Sequence, residues 1–467
     1  MTRRRRRKLS AGQRAAELVP VNLHAAGIDV GAASHWAAVP PGRDPEGQDV
    51  REFGAVTPEL ERLAAWLRAC GVTTVVLEAT GVYWIPVFEV LEGRGLAVQL
   101  VDPRGLRRPK KSDVLDCQWL QQMHSYGLLA AAFRPPEAIC VLRSYWRQRA
   151  RLIEGAAQQL QHMQKALSEM NVHLHHVVSD LGGVTGMKIV RAILGGERDP
   201  QRLAALRHPT CKRDAASFAA ALTGHWRADH VFALRQALEL YDSYQAKLAD
   251  CDRELEQVLR THPDRSQGAP VPPRARPRSR RSHNEPTFEL RDHLFRLTGV
   301  DLTRIDGIDA LTAMTVISET GTDMRAWPSG KHFTSWLRLS PNHRISGGKV
   351  LARRTRPGAN RAATALRIAA QALHHSNSAL GAFYRRKQAR LGAPKAITAT
   401  ARKLARIIYS MLRYGSDYVD RGAAYYEEQY RQRTLRSLVQ RAKELGYKLV
   451  DLEPHTLELQ PVTAMTT

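Results

Sequence analysis

Two aspartates stand three residues apart in the stretch KSDVLDCQWL, at the head of an apolar segment in a strongly basic chain. Residues at this spacing share one face of a helix, so the carboxylates of Asp113 and Asp116 can point towards one hard cation. The same pair also suits a simpler role, because a capped helix start favours acids in its first turn through the helix dipole. Taken alone, the pair favours the ordinary helix start.

Two further acids follow apolar runs of the β type. Asp29 comes after AAGI and Glu78 after TTVVL, so each carboxylate is expected at or near a sheet, where an unpaired charge is costly. A bound divalent cation removes that cost. Four oxygen donors converging from two strands and one helix suit Mg²⁺ that also binds phosphate oxygens, as in phosphoryl transfer on nucleic acids. The ordered set Asp29, Glu78, Asp113 and Asp116 therefore predicts a magnesium site.

The overall charge matches such a substrate. The chain has 467 residues, with 70 Lys and Arg against 45 Asp and Glu and a net charge of +25, which favours nucleic acid as a partner. No uncharged apolar run is long enough to span a bilayer, and the start MTRRRRRKLS lacks the apolar segment of a signal peptide. Five widely spaced cysteines without a CxxC motif argue against a disulfide framework and a zinc ribbon, and fit a reducing cytosol.

The elements that must position these residues change along the chain. Its length exceeds that at which one hydrophobic core stops growing, so at least two domains are expected. Residues 1–20 predict a disordered basic arm that contacts phosphates. Over residues 21–140, short β-type runs alternate with helical ones, which predicts a mixed α/β domain that contains all four acids.

Residues 141–262 carry two heptad-like seams that predict two long helices. The first seam runs to Leu174 with one polar exception, Arg149, and the second has two, Gln245 and Asp252. These helices can form an antiparallel hairpin or a coiled coil that joins subunits, and the pattern does not choose between them.

The remainder divides into a linker, a helical region and a tail. Residues 263–286 are rich in Pro and Arg and predict an extended charged linker. A mostly helical domain is expected over 287–440, followed by a tail at 441–467.

Within that domain, the segment 302–321 is compatible with a helix-hairpin-helix whose amides hold DNA phosphate, or with a plain helical turn. The cluster HLHH at 173–176 resembles a metal motif but lacks acid or cysteine partners, so a solvated face is the preferred interpretation.

Four stretches, taken in order, resemble the DEDD transposases of bacterial insertion sequences, in the IS110 family and its IS1111 group. They are GIDVG, VVLEATGVYW, VQLVDPRGLRRPKKSDVLD and RISGGK. The resemblance implies an N-terminal RNase H-like domain of the RuvC-like, junction-resolving type, in which Asp29, Glu78, Asp113 and Asp116 match the four acidic positions. Cys117 departs from the family pattern, in which alanine commonly follows the acidic pair.

The resemblance further implies a C-terminal transposase domain whose serine is the nucleophile, at the position of Ser346. Gly347 and Gly348 permit a tight turn or close backbone approach to a phosphate. No local histidine and acid identify a general base, so the serine would be activated from elsewhere, most economically by a metal site. Positive charge near the acids and the serine predicts nucleic-acid contacts by Lys110, Lys111, Lys349, Arg353, Arg354 and Arg356.

The expected activity is cleavage and exchange of DNA strands by Mg²⁺-assisted serine attack, through a transient phosphoserine link to DNA. The resemblance also implies a structured noncoding guide RNA and a homo-oligomer, dimer or tetramer, in the bacterial cytoplasm at the nucleoid. One alternative is a metal-dependent junction-resolving nuclease. Another is a non-enzymatic architectural protein, which leaves the four acids unexplained. A third, suggested by GIDVGAASHWAAV, is an actin-like ATPase or sugar kinase, which should repeat an Asp-Gly phosphate turn before a second strand hairpin.

Overall fold

A computed structural model describes residues 19–79, 81–102, 112–274, 284–342, 344–347, 349–352, 354–358, 360–453 and 456–461. These residues form two compact units that divide between Arg134 and Pro135. Most of the predicted basic arm and residues 275–283 of the predicted linker lie outside this part of the chain. None of the helices so described is long and apolar enough to cross a membrane.

The first unit is built on a five-stranded sheet in the order β3-β2-β1-β4-β5. Its first three strands pair antiparallel, whereas β1, β4 and β5 pair parallel. This is the mixed α/β architecture expected from the sequence, with β3 as a strand that the sequence analysis did not identify. The strands are β1 (Ala25–Val30), β2 (Ser34–Ala38), β3 (Val50–Gly54), β4 (Thr74–Glu78) and β5 (Ala97–Val101).

Two helices, α1 (Thr57–Ala69) and α2 (Trp84–Gly93), cover one face of this sheet. Apolar residues at helical spacing on α1 pack against alternate residues of the central strands, including Ile28 and Leu77, in one hydrophobic core. This core fixes which strand residues face inwards under α1 and α2, and therefore which residues face the other side.

The opposite face is crossed by α3 (Asp113–Ser125). Helix and strand meet at Gly27, where a Cβ atom would lie 2.2 Å from the backbone nitrogen of Gln121 and 2.5 Å from the carbonyl oxygen of Cys117. Only a residue without a side chain permits this approach. The contact sets the height of α3 above β1.

Two long helices, α4 (Glu137–Glu169) and α9 (Ala228–Thr261), begin the mostly helical second unit. They pack antiparallel, since Arg149 of α4 bonds to Asp252 near the end of α9, while Glu169 lies 3.4 Å from His230 near its start. The two seams of the sequence therefore form a hairpin within one chain. Between them lie α5 (Leu174–Val177), α6 (Val184–Leu194), α7 (Pro200–Ala205) and α8 (Ala215–Ala221).

The first long helix ends earlier than its seam suggests. The seam of apolar residues continues to Leu174, but α4 stops at Glu169, because Asn171 adopts a left-handed conformation with φ of 59°. Leu174 is nevertheless fully buried in the same core, so its place in the apolar pattern reflects packing and not helix continuity.

Among the described residues of the second unit, seven further helices and two hairpins follow α9. The hairpin β6–β7 lies between α12 and α13, and the hairpin β8–β9 lies in the tail, where the sequence showed no strong pattern. The elements are α10 (Leu290–Thr298), α11 (Ala310–Thr320), α12 (Gly330–Trp336), β6 (Arg344–Ser346), β7 (Lys349–Ala352), α13 (Arg361–Ala372), α14 (Ala379–Leu391), α15 (Ala393–Tyr414), α16 (Gly422–Glu444), β8 (Tyr447–Glu453) and β9 (Thr456–Pro461).

The segment compatible with a helix-hairpin-helix contains a glycine turn before α11. Gly307 has a φ of 83°, and a Cβ atom there would lie 2.9 Å from the carbonyl oxygen of Ala369 in α13. Asp309 then caps α11 by accepting a hydrogen bond from the backbone nitrogen of Thr312 at 2.7 Å. The turn is thus packed against a neighbouring helix at its glycine.

Candidate active site

Strand pairing places two of the four acids side by side. Ile28 of β1 is in register with Leu77 of β4, and the next residue in each strand is an acid, Asp29 or Glu78. Because side chains alternate along a strand, and Ile28 and Leu77 face the core under α1 and α2, both carboxylates face the side covered by α3. Each acid is partly buried.

The direction of α3 brings the other two acids to the same edge. The end of the helix lies at the start of the strands, where the Gln121 amide donates to the carbonyl oxygen of Ala25 at 3.3 Å and His124 Nε2 lies 2.9 Å from Thr74 Oγ1. The helix therefore runs antiparallel to β1 and β4. Its first turn lies at the edge where those strands end.

That first turn is capped by Ser112, whose hydroxyl accepts a hydrogen bond from the backbone nitrogen of Leu115 at 3.3 Å. Asp113 and Asp116 both lie in the turn, where the helix dipole stabilises negative charge. Asp113 is exposed, whereas Asp116 is 9% exposed. The serine performs the capping, so neither aspartate is needed for it.

The pKa of the Cys117 thiol is affected by the acids at this edge. Burial raises the pKa of its thiol to about 12, and the negative charges of Asp29 and Asp116 act in the same direction. The thiol is fully buried and donates to the carbonyl oxygen of Val114 at 3.1 Å. Acids from β1 and from α3 thus act on one side chain, which links the two halves of the predicted set.

The donor set fits a hard divalent cation in kind, because all four side chains offer carboxylate oxygens at one edge of the sheet. Among the described residues, however, these acids do not form a close group of three or more metal-ligating side chains; the group that does is histidines 173, 175 and 176, whose ligand atoms lie within 4.8 Å of one another. Asp29, Glu78, Asp113 and Asp116 are the residues that would hold a cation at this edge.

One acid at this edge was missed by the sequence analysis. Asp102 directly follows β5 and is exposed. Val101 is in register with Glu78, so Asp102 lies one residue beyond that pair. The sequence does contain a signal for Asp102, since this acid follows an apolar run, as Asp29 and Glu78 do.

Ser346 lies at the tip of the β6–β7 hairpin. It pairs with Lys349 across a two-residue turn, and Gly347 has the positive φ, 53°, that such turns require. Ser346 and Lys349 are both exposed, as are the apolar side chains of Ile345 and Leu351 beside them. Ser346 therefore faces solvent at the hairpin tip and is not part of the core.

The base of this hairpin is held together by backbone contacts. Pro341 forms a β-bridge with Thr355, and the backbone nitrogen of Asn342 donates to the carbonyl oxygen of Arg354 at 3.0 Å. Of the basic residues predicted to contact nucleic acid, Lys349, Arg354 and Arg356 are exposed near this hairpin, whereas Lys110, Lys111 and Arg353 lie outside the described residues.

A cavity of about 1870 Å³ opens beside the hairpin base, which contributes Pro341, Arg354 and Thr355 to its wall. The remaining wall comes chiefly from α14, α15 and α16 and carries aromatic rings, among them Phe383 and Tyr426. Burial, with the charge of Arg433, lowers the pKa of Lys403 in this wall. Its basic residues are Arg354, Lys387, Lys395, Arg402, Lys403, Arg406, Arg421 and Arg433.

This cavity with its basic wall was not predicted from the sequence. Lys395, Arg402 and Arg406 recur on one face of α15 at helical spacing, a signal that is readable in the sequence. What the sequence does not reveal is that α14 and α16 bring further cations to the same cavity. We refer to this cavity as the basic groove.

Family comparisons match both parts of the chain. The DEDD transposase model of IS110 elements, described as a transposase, matches residues 26–172, and a model described as Transposase IS116/IS110/IS902 family matches residues 301–385. The chain belongs to the IS110 family of transposases. The two matches include the four acids and Ser346 respectively, so this IS110 transposase has both parts in the family's order. It is a DNA transposase, of a DEDD type that typically uses divalent metal ions. No curated protein matches the chain.

Proposed function

We propose that this IS110 transposase cuts and rejoins DNA strands by attack of the Ser346 hydroxyl on a DNA phosphate, with Mg²⁺ held by Asp29, Glu78, Asp113 and Asp116. The observation that carries the proposal is the convergence of acids from β1, β4 and α3 at one edge of the sheet. The mixed sheet also supports an RNase H-like, RuvC-like assignment for the first unit.

The reaction exchanges one phosphate ester for another. The bond from Ser346 Oγ to phosphorus forms as a DNA ester bond breaks, which leaves a phosphoserine link and a free DNA hydroxyl. Attack by a second DNA hydroxyl reverses the exchange and frees the serine. A bound divalent cation supplies charge stabilisation at the phosphate oxygens. The carboxylates hold the cation, and the exposed hairpin presents the serine to the strand.

The basic groove suits the phosphate backbone of a nucleic acid. Its cations neutralise phosphates, and its aromatic rings can stack on unpaired bases. Arg354 belongs both to the groove and to the base of the serine hairpin, so a strand in the groove passes close to that base. We propose that DNA or a structured noncoding guide RNA binds there, in an assembly of two or four chains.

The acid site is tested by cleavage with the substitutions Asp29→Asn and Asp116→Asn. Both preserve side-chain shape while removing the charge that a cation needs. We expect DNA binding to remain within about twofold of wild type and Mg²⁺-dependent cleavage to be lost, consistent with the several kcal/mol that metal-ion catalysis supplies. Cleavage at the wild-type rate in both variants would refute the metal role. DNA binding without any cleavage by the wild type would instead favour the architectural alternative.

A further inference from the structure

Three imidazole rings meet where α5 begins. A ring nitrogen from each of His173, His175 and His176 lies within 4.8 Å of the other two. His173 and His176 are stacked with ring centroids 5.0 Å apart, and His175 meets His176 at 4.2 Å. Three side chains from four consecutive positions can meet in this way because His173 lies just before the helix, where its direction is not set by helical periodicity.

Two ring nitrogens of this cluster are shielded from solvent, although the ring of His176 is exposed. The Nδ1 atoms of His173 and His175 are both buried and lack a hydrogen-bond partner among the described residues. A buried polar atom without a hydrogen-bond partner destabilises the fold. Two such atoms in one cluster indicate that something outside the chain's own side chains satisfies them.

The neighbouring contacts prepare these nitrogens to donate a lone pair. His173 Nε2 lies 2.9 Å from the amide oxygen Oδ1 of Asn171, which can only accept, so the ring proton belongs on Nε2 and the lone pair on Nδ1. A metal-binding histidine commonly donates its second nitrogen to an oxygen in this way.

The cluster is also held in place by the fold. Leu174, which lies between His173 and His175 in the sequence, is fully buried in the core of the helical region. The backbone nitrogen of His173 donates to the carbonyl oxygen of Ala221, the last residue of α8, at 2.8 Å. The imidazoles are therefore carried by a turn that is fixed on both sides, which lowers the entropic cost of assembling a site.

We propose that His173, His175 and His176 form a binding site for a divalent transition metal such as Zn²⁺, with a fourth position left for water. Three imidazoles suit zinc at about 2.0–2.1 Å from each nitrogen, whereas the carboxylates of the proposed catalytic site suit magnesium. The bound ion stabilises the turn that follows α4, independently of the acids in the first unit.

The test uses full-length protein purified without a histidine tag, equilibrated with ZnCl₂, passed through a desalting column and analysed for metal. The variants are His176→Asn, whose ring is exposed, and His175→Asn. The matched control is His374→Asn, which removes a ring from another adjacent histidine pair, with centroids 4.5 Å apart. Circular dichroism checks that each variant is folded. Asp116→Asn is included to separate this site from the acids.

We expect about one Zn²⁺ per chain in the wild type, in His374→Asn and in Asp116→Asn, and at least a tenfold weaker retention in both cluster variants. Substitution by Co²⁺ should give the visible bands of a tetrahedral site without the near-ultraviolet absorption of cobalt–thiolate bonds. Equal zinc retention in wild type and His176→Asn would overturn the proposal, as would a thiolate signal that disappears on blocking the cysteines. Failure of wild-type protein to retain zinc would also overturn it, and would leave the proposed catalytic site unaffected.

Discussion

Arg149 of α4 donates to Asp252 of α9 at 2.5 Å, and the two side chains are only 5% and 2% exposed. These residues are polar exceptions in the two apolar seams, and they form an ion pair with each other across the two helices. Arg149 also donates to the carbonyl oxygen of Asn284 at 2.8 Å, while Asp252 accepts from the backbone nitrogen of Thr287 at 2.9 Å. The pair therefore binds the end of the predicted linker, and the residue that follows it, to the long helical hairpin.

Removing one partner of this ion pair should strongly destabilise the second unit. Arg149→Ala leaves the Asp252 carboxylate buried without its charge partner, at an expected cost of about 3–5 kcal/mol in the free energy of unfolding. The matched control is Arg191→Ala, which breaks an ion pair with Asp242 that is about half exposed and is expected to cost about 0–1 kcal/mol. The Tm values of the two variants are compared by calorimetry of thermal unfolding. Similar shifts in Tm for the two variants would contradict this account of the buried pair.

Adding one methyl group at Gly27 should separate α3 from the sheet. A Cβ atom there would lie 2.2 Å from the backbone of Gln121, too close for any side-chain rotation to relieve. We expect Gly27→Ala to lower stability by about 1–3 kcal/mol and to reduce strand cleavage, because the first turn of α3 carries Asp113 and Asp116. Gly93→Ala is the control, since a Cβ there meets nothing within 4 Å. Cleavage by Gly27→Ala at the wild-type rate would show that the helix position does not matter.

Cys117 gives the first unit a defined alkaline pH dependence. The pKa of its thiol is raised from 9.0 to about 12 in the folded protein, chiefly by burial. The neutral thiol is thus favoured by folding, so its contribution to stability is complete below pH 9 and is lost as the pH rises towards 12. Relative to Cys117→Ala, the wild type should lose about 1–2 kcal/mol of stability between pH 8 and pH 10.

The measurement is Tm at both pH values for wild type and Cys117→Ala. Alanine is also the residue that commonly follows the acidic pair in the family, so the variant should fold and keep its cleavage activity. Parallel loss of Tm in the two proteins would show that Cys117 does not titrate as described.

The basic groove should make binding of nucleic acid depend on salt. Lys395 and Arg406 are exposed in its wall, so their replacement by alanine spares the core. Removal of one cation that binds a phosphate should reduce the slope of log affinity against log salt by about 0.7–0.9. Lys165→Ala, at an exposed position of α4, should leave the slope unchanged. Affinities titrated at several salt concentrations test this, and an unchanged slope in both groove variants would place the binding surface elsewhere.

The sequence predicted those helices and strands whose residues show a periodic or apolar pattern along the chain. Apolar runs ending at Asp29 and Glu78 are β1 and β4, and the pair in KSDVLDC starts a capped helix. The heptad seams are two long helices, although the pattern could not decide whether they pair within a chain. That choice depends on the match between Arg149 and Asp252, a contact between residues far apart in the sequence.

Other features could not be predicted, because they arise from tertiary contacts. Strand β3 (VREFG) contains two charged residues and has one buried residue, Phe53, so it lacks an apolar run, and its pairing with β2 shows only in the folded sheet. The basic groove collects cations from three helices. For the histidines at 173, 175 and 176 the sequence favours a solvated face, because it shows no acid or cysteine partner nearby, whereas the burial of two ring nitrogens depends on how α5 packs.

The central claim is that Ser346 attacks DNA with help from a cation held by the acids. Its most direct test is a covalent-adduct assay: protein is mixed with Mg²⁺, end-labelled DNA spanning the element junction, and RNA transcribed from the element's noncoding segment, then resolved on denaturing gels. Wild type should give a DNA-linked protein band that is absent from Ser346→Ala and Asp116→Ala and absent without Mg²⁺. Free cleaved ends without any adduct, or an adduct that persists in Ser346→Ala, would contradict the account.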